Sequence, residues 1–313
     1  MTQKTSLLAI IIAMFAISCE MVGFEKTKSG LSYKIFPGAN SKDAAKKSDT
    51  LKPGTIVKFN YKLTYNDSVL GSSYETIPGY DMVDSNPRFH DFAEVLTKLR
   101  VGDSLVTYQY YDTLAKQNPA QMPPFLKKGS KIKMTIKILD TIPNGMAGVQ
   151  EDVMKEEEGV FKRESARIEK YIAVKKLNVK KINNVYIEVI SEGNGLAADS
   201  GKYVGVNYSG YTLEGKYFDS NTDTTKQEQK HPLEPFYCWS KQSGAIPGML
   251  EGISHFKEGG KGRLIIPSSM AYGRQGGGAV IKPYEPLIFD IEIVKVKDST
   301  MPGMDMSQFQ PGN

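Results

Sequence analysis

Cysteine is nearly absent from this sequence: its 313 residues hold two, Cys19 and Cys238. A chain processed at Cys19 would keep one internal thiol, which excludes a disulfide framework and leaves stability to buried cores. Histidine is equally sparse. His90, His231 and His255 show no metal-ligand spacing and are expected at the surface, so no metal site is implied. Charge of one sign never accumulates: the net charge of +5 is spread among 35 acidic and 40 basic residues, which argues against a nucleic-acid footprint. Long hydrophobic runs are missing as well. The longest, Leu7 to Ile17, is shorter than the roughly 20 residues a membrane-spanning helix needs. The glycine run after Tyr272, "GRQGGGAV", lacks the Gly-Lys-Ser/Thr that would make it a phosphate cradle.

What is present begins with a leader. Lys4, the apolar stretch and then Ser18-Cys19 read as an export signal over residues 1–18. Small residues running into a cysteine resemble the bacterial lipoprotein processing site, which would make Cys19 the lipid attachment point of an envelope protein, held on a membrane and facing the periplasm or the surface. A plain secretory signal with an incidental cysteine is the other reading. Cys238, in "PFYCW", reads as a small buried hydrophobe.

The chain is long enough for two domains, and it repeats itself. "TIVKFNYKLTYND" resembles "KYVGVNYSGYTLEG" and aligns Tyr61 with Tyr208. "VLTKLRVGD" resembles "GISHFKEGG" and aligns Gly102 with Gly259. "KMTIKILDT" resembles "IFDIEIVKV" and aligns Met134 with Phe289. Three blocks in one order imply a duplicated domain, over 29–142 and again over 183–297. Each copy reads as strand, strand, short helix, strand, strand, giving an α+β fold with an antiparallel sheet curled over one helix. The helices are expected at 89–99, where Phe89, Phe92, Leu96 and Leu99 share a face, and at 248–256. In "LIFDIEI", Leu287, Phe289, Ile291 and Ile293 alternate with Asp290 and Glu292, the pattern of a half-buried strand. A charge-rich helix over 148–180 joins the copies, as a spacer packed on the second domain or as an arm for a homodimer. The tail, 298–313, is expected to be disordered.

In the second copy "VGVNYSGYTLEGKYFDS", "EPFYCW", "AIPGMLEGISHFKEGGKGRLIIPSSMAYG" and "VIKPYEPLIFDIEI" follow one another. Their order and spacing resemble the FKBP-type, macrolide-binding peptidyl-prolyl cis-trans isomerases. The resemblance implies an antiparallel sheet around a short helix, with proline-containing polypeptides as substrates and no cofactor. It implies that Tyr208, Asp219, Tyr272 and Phe289 carry catalysis. The pocket wall would be Phe218, Phe236, Ala245, Ile246, Met249, Val280 and Ile281, with the glycine run as a flexible flap.

There are departures. Met249 stands where the family often has a tryptophan floor, which implies somewhat lower activity. The segment "DSNTDTTKQEQKHPLEP" between Phe218 and Phe236 is longer than usual, reshapes the rim and leaves the family's flap arginine unassignable. In the first copy Leu70 and Gly71 replace the Phe-Asp pair, Met134 replaces the strand aromatic and no Ala-Tyr-Gly follows the fourth strand. That copy reads as catalytically dead and retained for client binding, spacing or dimerisation. The expected function is a prolyl isomerase assisting the folding of exported proteins. The alternative is a non-catalytic peptide-binding module or holdase.

Overall fold

A computed structural model describes residues 22–38, 49–66, 68–117, 126–242 and 244–298. The leader, Cys19 and all but the first residue of the expected tail lie outside the described residues. The chain divides into two compact units between Glu157 and Glu158.

The first unit contains β1 (Glu25–Lys26), β2 (Ser32–Phe36), β3 (Ile56–Tyr65), β4 (Ser68–Ser72), β5 (Gly79–Met82), a 3-10 helix (Phe92–Lys98), β6 (Ser104–Tyr110), α1 (Tyr111–Gln117) and β7 (Lys131–Ile142). Its strands form one antiparallel sheet in the order β1-β2-β6-β7-β3-β4, with β5 also on β3. The sheet wraps the 3-10 helix, whose Phe92, Val95 and Leu96 pack with Leu99 against Val57, Phe59, Leu105, Ile136 and Ile138. Asp91 caps that helix by accepting from Ala93 N, so the helical turn begins only at Phe92. Phe89 therefore precedes the helix and is 70 % exposed, against the expectation that it shares the helix's apolar face. His90, expected at the surface, is buried.

The helix joining the copies is α2 (Gly145–Lys175), shifted toward the N-terminus relative to the expected 148–180. Its first turns belong to the first unit, where Lys58 bridges Asp152 and Glu156 and Tyr80 donates to Asp152. It ends in a Schellman motif. Lys176 takes a φ of 54°, its N–H bonds Ala173 O, and Leu177 N–H reaches back to Ile172 O.

The second unit continues with β8 (Lys180–Ile182), β9 (Val185–Ser191), β10 (Tyr203–Thr212), β11 (Tyr217–Ser220), β12 (Phe236–Trp239), α3 (Pro247–Ile253), β13 (Lys261–Ile266) and β14 (Leu287–Lys297). The strand order β11-β10-β14-β13-β9-β8, with β12 on β10, follows the same path as the first sheet. The register agrees too. β3 shifts against β7 between Lys58 and Phe59, and β10 shifts against β14 between Gly205 and Val206. Leu63 faces Met134 as Gly210 faces Phe289. Both sheets begin earlier than their expected boundaries, because β1 and β8 are short, charged edge strands without apolar alternation.

Both faces of the second sheet are covered. Leu287, Phe289, Ile291 and Ile293 of β14 point into a core with Met249, Leu250 and Ile253 of α3. Gly252 permits this close packing, since a Cβ there would lie 2.5 Å from Leu264. On the other face Ile288 joins Tyr186, Tyr211 and Ile265 beneath Ile168 of α2. Two ionic contacts fasten the helix there: Arg167 to Glu214 at 2.9 Å and to Glu285 at 3.2 Å. Cys238 is fully buried, and burial pushes its thiol pKa up to about 12.

Candidate active site

The concave face of the second sheet carries a cluster of rings. Tyr208, on β10, meets Phe289 of β14 at 5.9 Å between centroids and Phe236 of β12 at 6.2 Å, both edge-on. Phe218, on β11, meets Phe289 at 5.6 Å in the same T-shaped manner. Edge-to-face contacts of this length are favourable because a ring's positive edge meets its neighbour's negative face. The strand between them makes room by having no side chain: a Cβ on Gly210 would lie 2.6 Å from the Phe218 ring and 2.9 Å from Phe289. Met249 lies beneath at 3 % exposure, with Ile281 at 7 %. Ala245, Ile246 and Val280 are partly buried against the same cluster.

Asp219 follows Phe218 on β11, where the register against β10 shifts between Gly210 and Tyr211, and both side chains reach the same side of the sheet. Its carboxylate is held from three sides. Tyr208 Oη donates to Oδ2 at 2.6 Å, Ser220 N donates to Oδ1 at 2.8 Å, and His231 Nε2 lies 2.8 Å from Oδ1. Burial and the adjacent carboxylate raise the Tyr208 pKa well above the ordinary phenol value, so Tyr208 keeps its proton and remains a donor.

A hollow of about 260 Å³ opens over this arrangement, lined by Phe218, Asp219, Tyr272 and Ile281 together with Glu228, Gln229, His231, Gly277 and Gly278. The first four are expected site residues. Tyr208, Phe236, Met249 and Phe289 stand behind them in the ring cluster and its floor. Tyr272 is at the rim, 43 % exposed, and its hydroxyl has no hydrogen-bond partner among the described residues.

Of the remaining lining residues, Gly277 and Gly278 belong to the expected flap, and the other three had no expected role at the site. Glu228, Gln229 and His231 come from the long polar segment after Asp219, which is folded onto the site by two buried amides. Asn221 Nδ2 donates to Val206 O and Glu234 O, while its Oδ1 accepts from Tyr208 N. Gln227 Nε2 donates to Ser220 O and His231 O. His231, expected as an isolated surface residue, is thereby brought onto Asp219. The glycine run is likewise not a free flap. Gly277 and Ile281 exchange backbone hydrogen bonds, and Ala279 N donates to Glu228 Oε1 at 2.6 Å. The extra length of the segment is the one signal that hinted at these residues; their side chains carry no recognisable spacing.

The first unit differs at the matching places. Leu63 stands where the second has Gly210, Gly71 where it has Asp219, and Met134 where it has Phe289. Ser73 retains one feature, accepting from Tyr61 N at 2.9 Å as Asn221 accepts from Tyr208 N.

The family model described as FKBP-type peptidyl-prolyl cis-trans isomerase matches residues 195–294, which span the ring cluster, the segment and the hollow. The FK506-binding protein of Neisseria meningitidis serogroup A is 38 % identical over 115 residues, covering 37 % of this chain and 98 % of that protein. The FKBP-type peptidyl-prolyl cis-trans isomerase FkpA of Escherichia coli K12 is 36 % identical over 129 residues, 41 % of this chain and 43 % of that one. The crystal structure of FkpA from Escherichia coli superposes with a TM-score of 0.37 at 28 % identity, over 50 % of this chain and 71 % of that one. A chain that aligns with nearly the whole of a relative at this identity belongs to the FKBP-type peptidyl-prolyl cis-trans isomerases, enzymes that speed rotation about the peptide bond preceding proline.

Proposed function

We propose that the hollow of the second unit is where the proline amide turns. The observation that carries this reading is the meeting of the Phe218, Tyr208 and Phe289 rings with the Asp219 carboxylate under one opening. Rotation about a peptide bond is slow because resonance gives it double-bond character, with a barrier of about 18–20 kcal/mol. At the perpendicular transition state that resonance is lost and the carbonyl oxygen loses negative charge. Water hydrogen-bonded to the oxygen stabilises the planar ground state, so a site that strips it away favours the twisted form. Each 1.36 kcal/mol removed from the barrier gives about tenfold in rate.

In this mechanism the proline ring, which is apolar and has no N–H to desolvate, sits against Phe218, Ile281 and the rings behind them. Tyr272, free at the rim, donates to the backbone carbonyl beyond the proline and fixes the turn of the peptide. Asp219 acts by charge and by orienting Tyr208, not as a base, since no proton moves in the reaction.

The test uses the full chain. It accelerates cis-trans isomerisation of a short X-Pro peptide, and a Tyr272→Ala, Phe289→Ala pair abolishes the acceleration. Met249 in the floor favours one other reading, a peptide-binding holdase. An unaltered chain that fails to speed isomerisation yet suppresses aggregation of an unfolded protein establishes that reading instead.

The same proposal extends to the rest of the chain. The first unit is a duplicated copy that has lost its carboxylate and strand aromatic and serves to hold clients, and Cys19 carries a lipid that keeps the enzyme at a bacterial envelope membrane among exported proteins. Substituting Cys19→Ser and fractionating cells tests the anchor: the variant leaves the membrane fraction.

A further inference from the structure

His231 is half-buried at the mouth of the hollow, and both of its ring nitrogens face acceptors. Nε2 lies 2.8 Å from Asp219 Oδ1 and Nδ1 lies 3.0 Å from Pro232 O. A neutral imidazole carries one N–H, so it satisfies one of these and turns a lone pair toward the other. The nearby Gln227 amide, 3.3 Å from Nε2, offers no donor in exchange, because both of its N–H groups are engaged by Ser220 O and His231 O. Only the doubly protonated imidazolium satisfies both contacts. The surroundings agree. Asp219 approaches from β11 with Tyr208 of β10 behind it, Glu234 contributes negative charge from the same segment, and Glu228 and Tyr272 line the same hollow. Lys230, the neighbouring cation, is turned to Thr224 O.

We infer that His231 is a positioning residue for the isomerase site: as imidazolium it neutralises and orients Asp219, and its loss of a proton weakens peptide binding to the hollow. This rests on the hollow being the proline site. The physical reason lies in hydration. Paired with His231, Asp219 presents an internally compensated charge beside Phe218 and Tyr272. Once His231 is neutral, a lone carboxylate at the mouth holds water that an entering proline must displace. That loss falls equally on the bound substrate and the transition state, so it raises KM and leaves kcat nearly unchanged. The hydrogen bond to Asp219 and the Pro232 carbonyl hold the His231 pKa above its ordinary value, which moves the transition toward neutral pH.

The experiment measures kcat and KM of the full chain on an X-Pro peptide from about pH 5.5 to about pH 9, with an NMR titration of the His231 ring. Expected is a fall in kcat/KM of about fivefold as pH rises, the scale of one hydrogen bond to a partly exposed charged group, with its midpoint matching the ring titration. His231→Gln, which cannot titrate, gives a flat profile at the lower level, and His231→Arg keeps the higher level to alkaline pH. In Asp219→Asn the ring titration moves down. A step that survives in His231→Gln, a wild-type profile flat across the titration of the ring, or a titration indifferent to Asp219→Asn overturns the inference. Failure of the underlying reading looks different: Phe289→Ala would then retain full activity at every pH, and the inference falls with it.

Discussion

Tyr208 and Asp219 lie on paired strands, and the phenol donates to the carboxylate across 2.6 Å. Their register explains the contact. Ser209 faces Ser220 and Gly210 faces Asp219, so the carboxylate lies one diagonal step from the tyrosine. Asp219 lines the hollow with Tyr208 behind it, and the two act as one unit. Tyr208→Phe and Asp219→Asn each lower kcat/KM on an X-Pro peptide by about tenfold, the scale of a charge-assisted hydrogen bond. The double variant is little worse than the poorer single one, which a double-mutant cycle reads directly.

Gly210 sets the spacing of the rings. Gly210→Ala drives a methyl to within 2.6 Å of Phe218 and 2.9 Å of Phe289, so both rings must move. The expected result is a loss of about 1–3 kcal/mol in stability, as for other overpacked sites, measured by urea unfolding. Isomerase activity falls further than stability alone predicts if the displaced rings form the wall of the proposed proline site.

Glu164 of α2 is 4 % exposed and accepts from Ser268 N at 2.5 Å and Ser268 Oγ at 2.8 Å. Burial raises its pKa above the ordinary value despite those two donors. The folded state therefore holds the proton more tightly than the unfolded chain. The stabilisation this gives is present below the unfolded pKa of about 4.3 and is lost as pH rises through the folded one. Glu164→Gln keeps an acceptor for Ser268 N without a charge. Its Tm advantage over the parent grows as pH is raised from about 4 and then levels off once Glu164 is fully ionised, a trend that thermal unfolding at several pH values measures.

Cys238 is fully buried on β12 opposite Val204, with its thiol pKa pushed up to about 12. A thiol reagent at neutral pH leaves it unmodified in the folded protein and labels it in urea. The denaturant midpoint for labelling coincides with the unfolding midpoint of the second unit, which mass spectrometry of the labelled peptide checks.

The strand of Leu287, Phe289, Ile291 and Ile293 was legible because alternation is a local property: successive side chains of an extended chain point to opposite faces whatever lies around them. The match of Met134 with Phe289 was legible for the same reason, since both stand at one step of a repeated pattern. Phe89 misled because four aromatic and aliphatic residues at helical spacing say nothing about where the helix starts. Asp91 decides that, by capping one turn later. The short strands β1 and β8 left no trace, since hydrogen bonding to a neighbour forms them and their own side chains do not.

Sequence alone determined the apolar register of both sheets and the small helix beneath each, because order and spacing along the chain carry that information; Tyr208, Phe218, Asp219, Tyr272 and Phe289 were named as a set by the family resemblance. Tertiary structure alone decided which polar groups reach Asp219. His231 arrives there, and Glu228 arrives at the same hollow, through a loop whose path is fixed by the buried amides of Asn221 and Gln227 bonding to backbone carbonyls. Contacts of that kind depend on three-dimensional closure, and no periodicity in the chain encodes them.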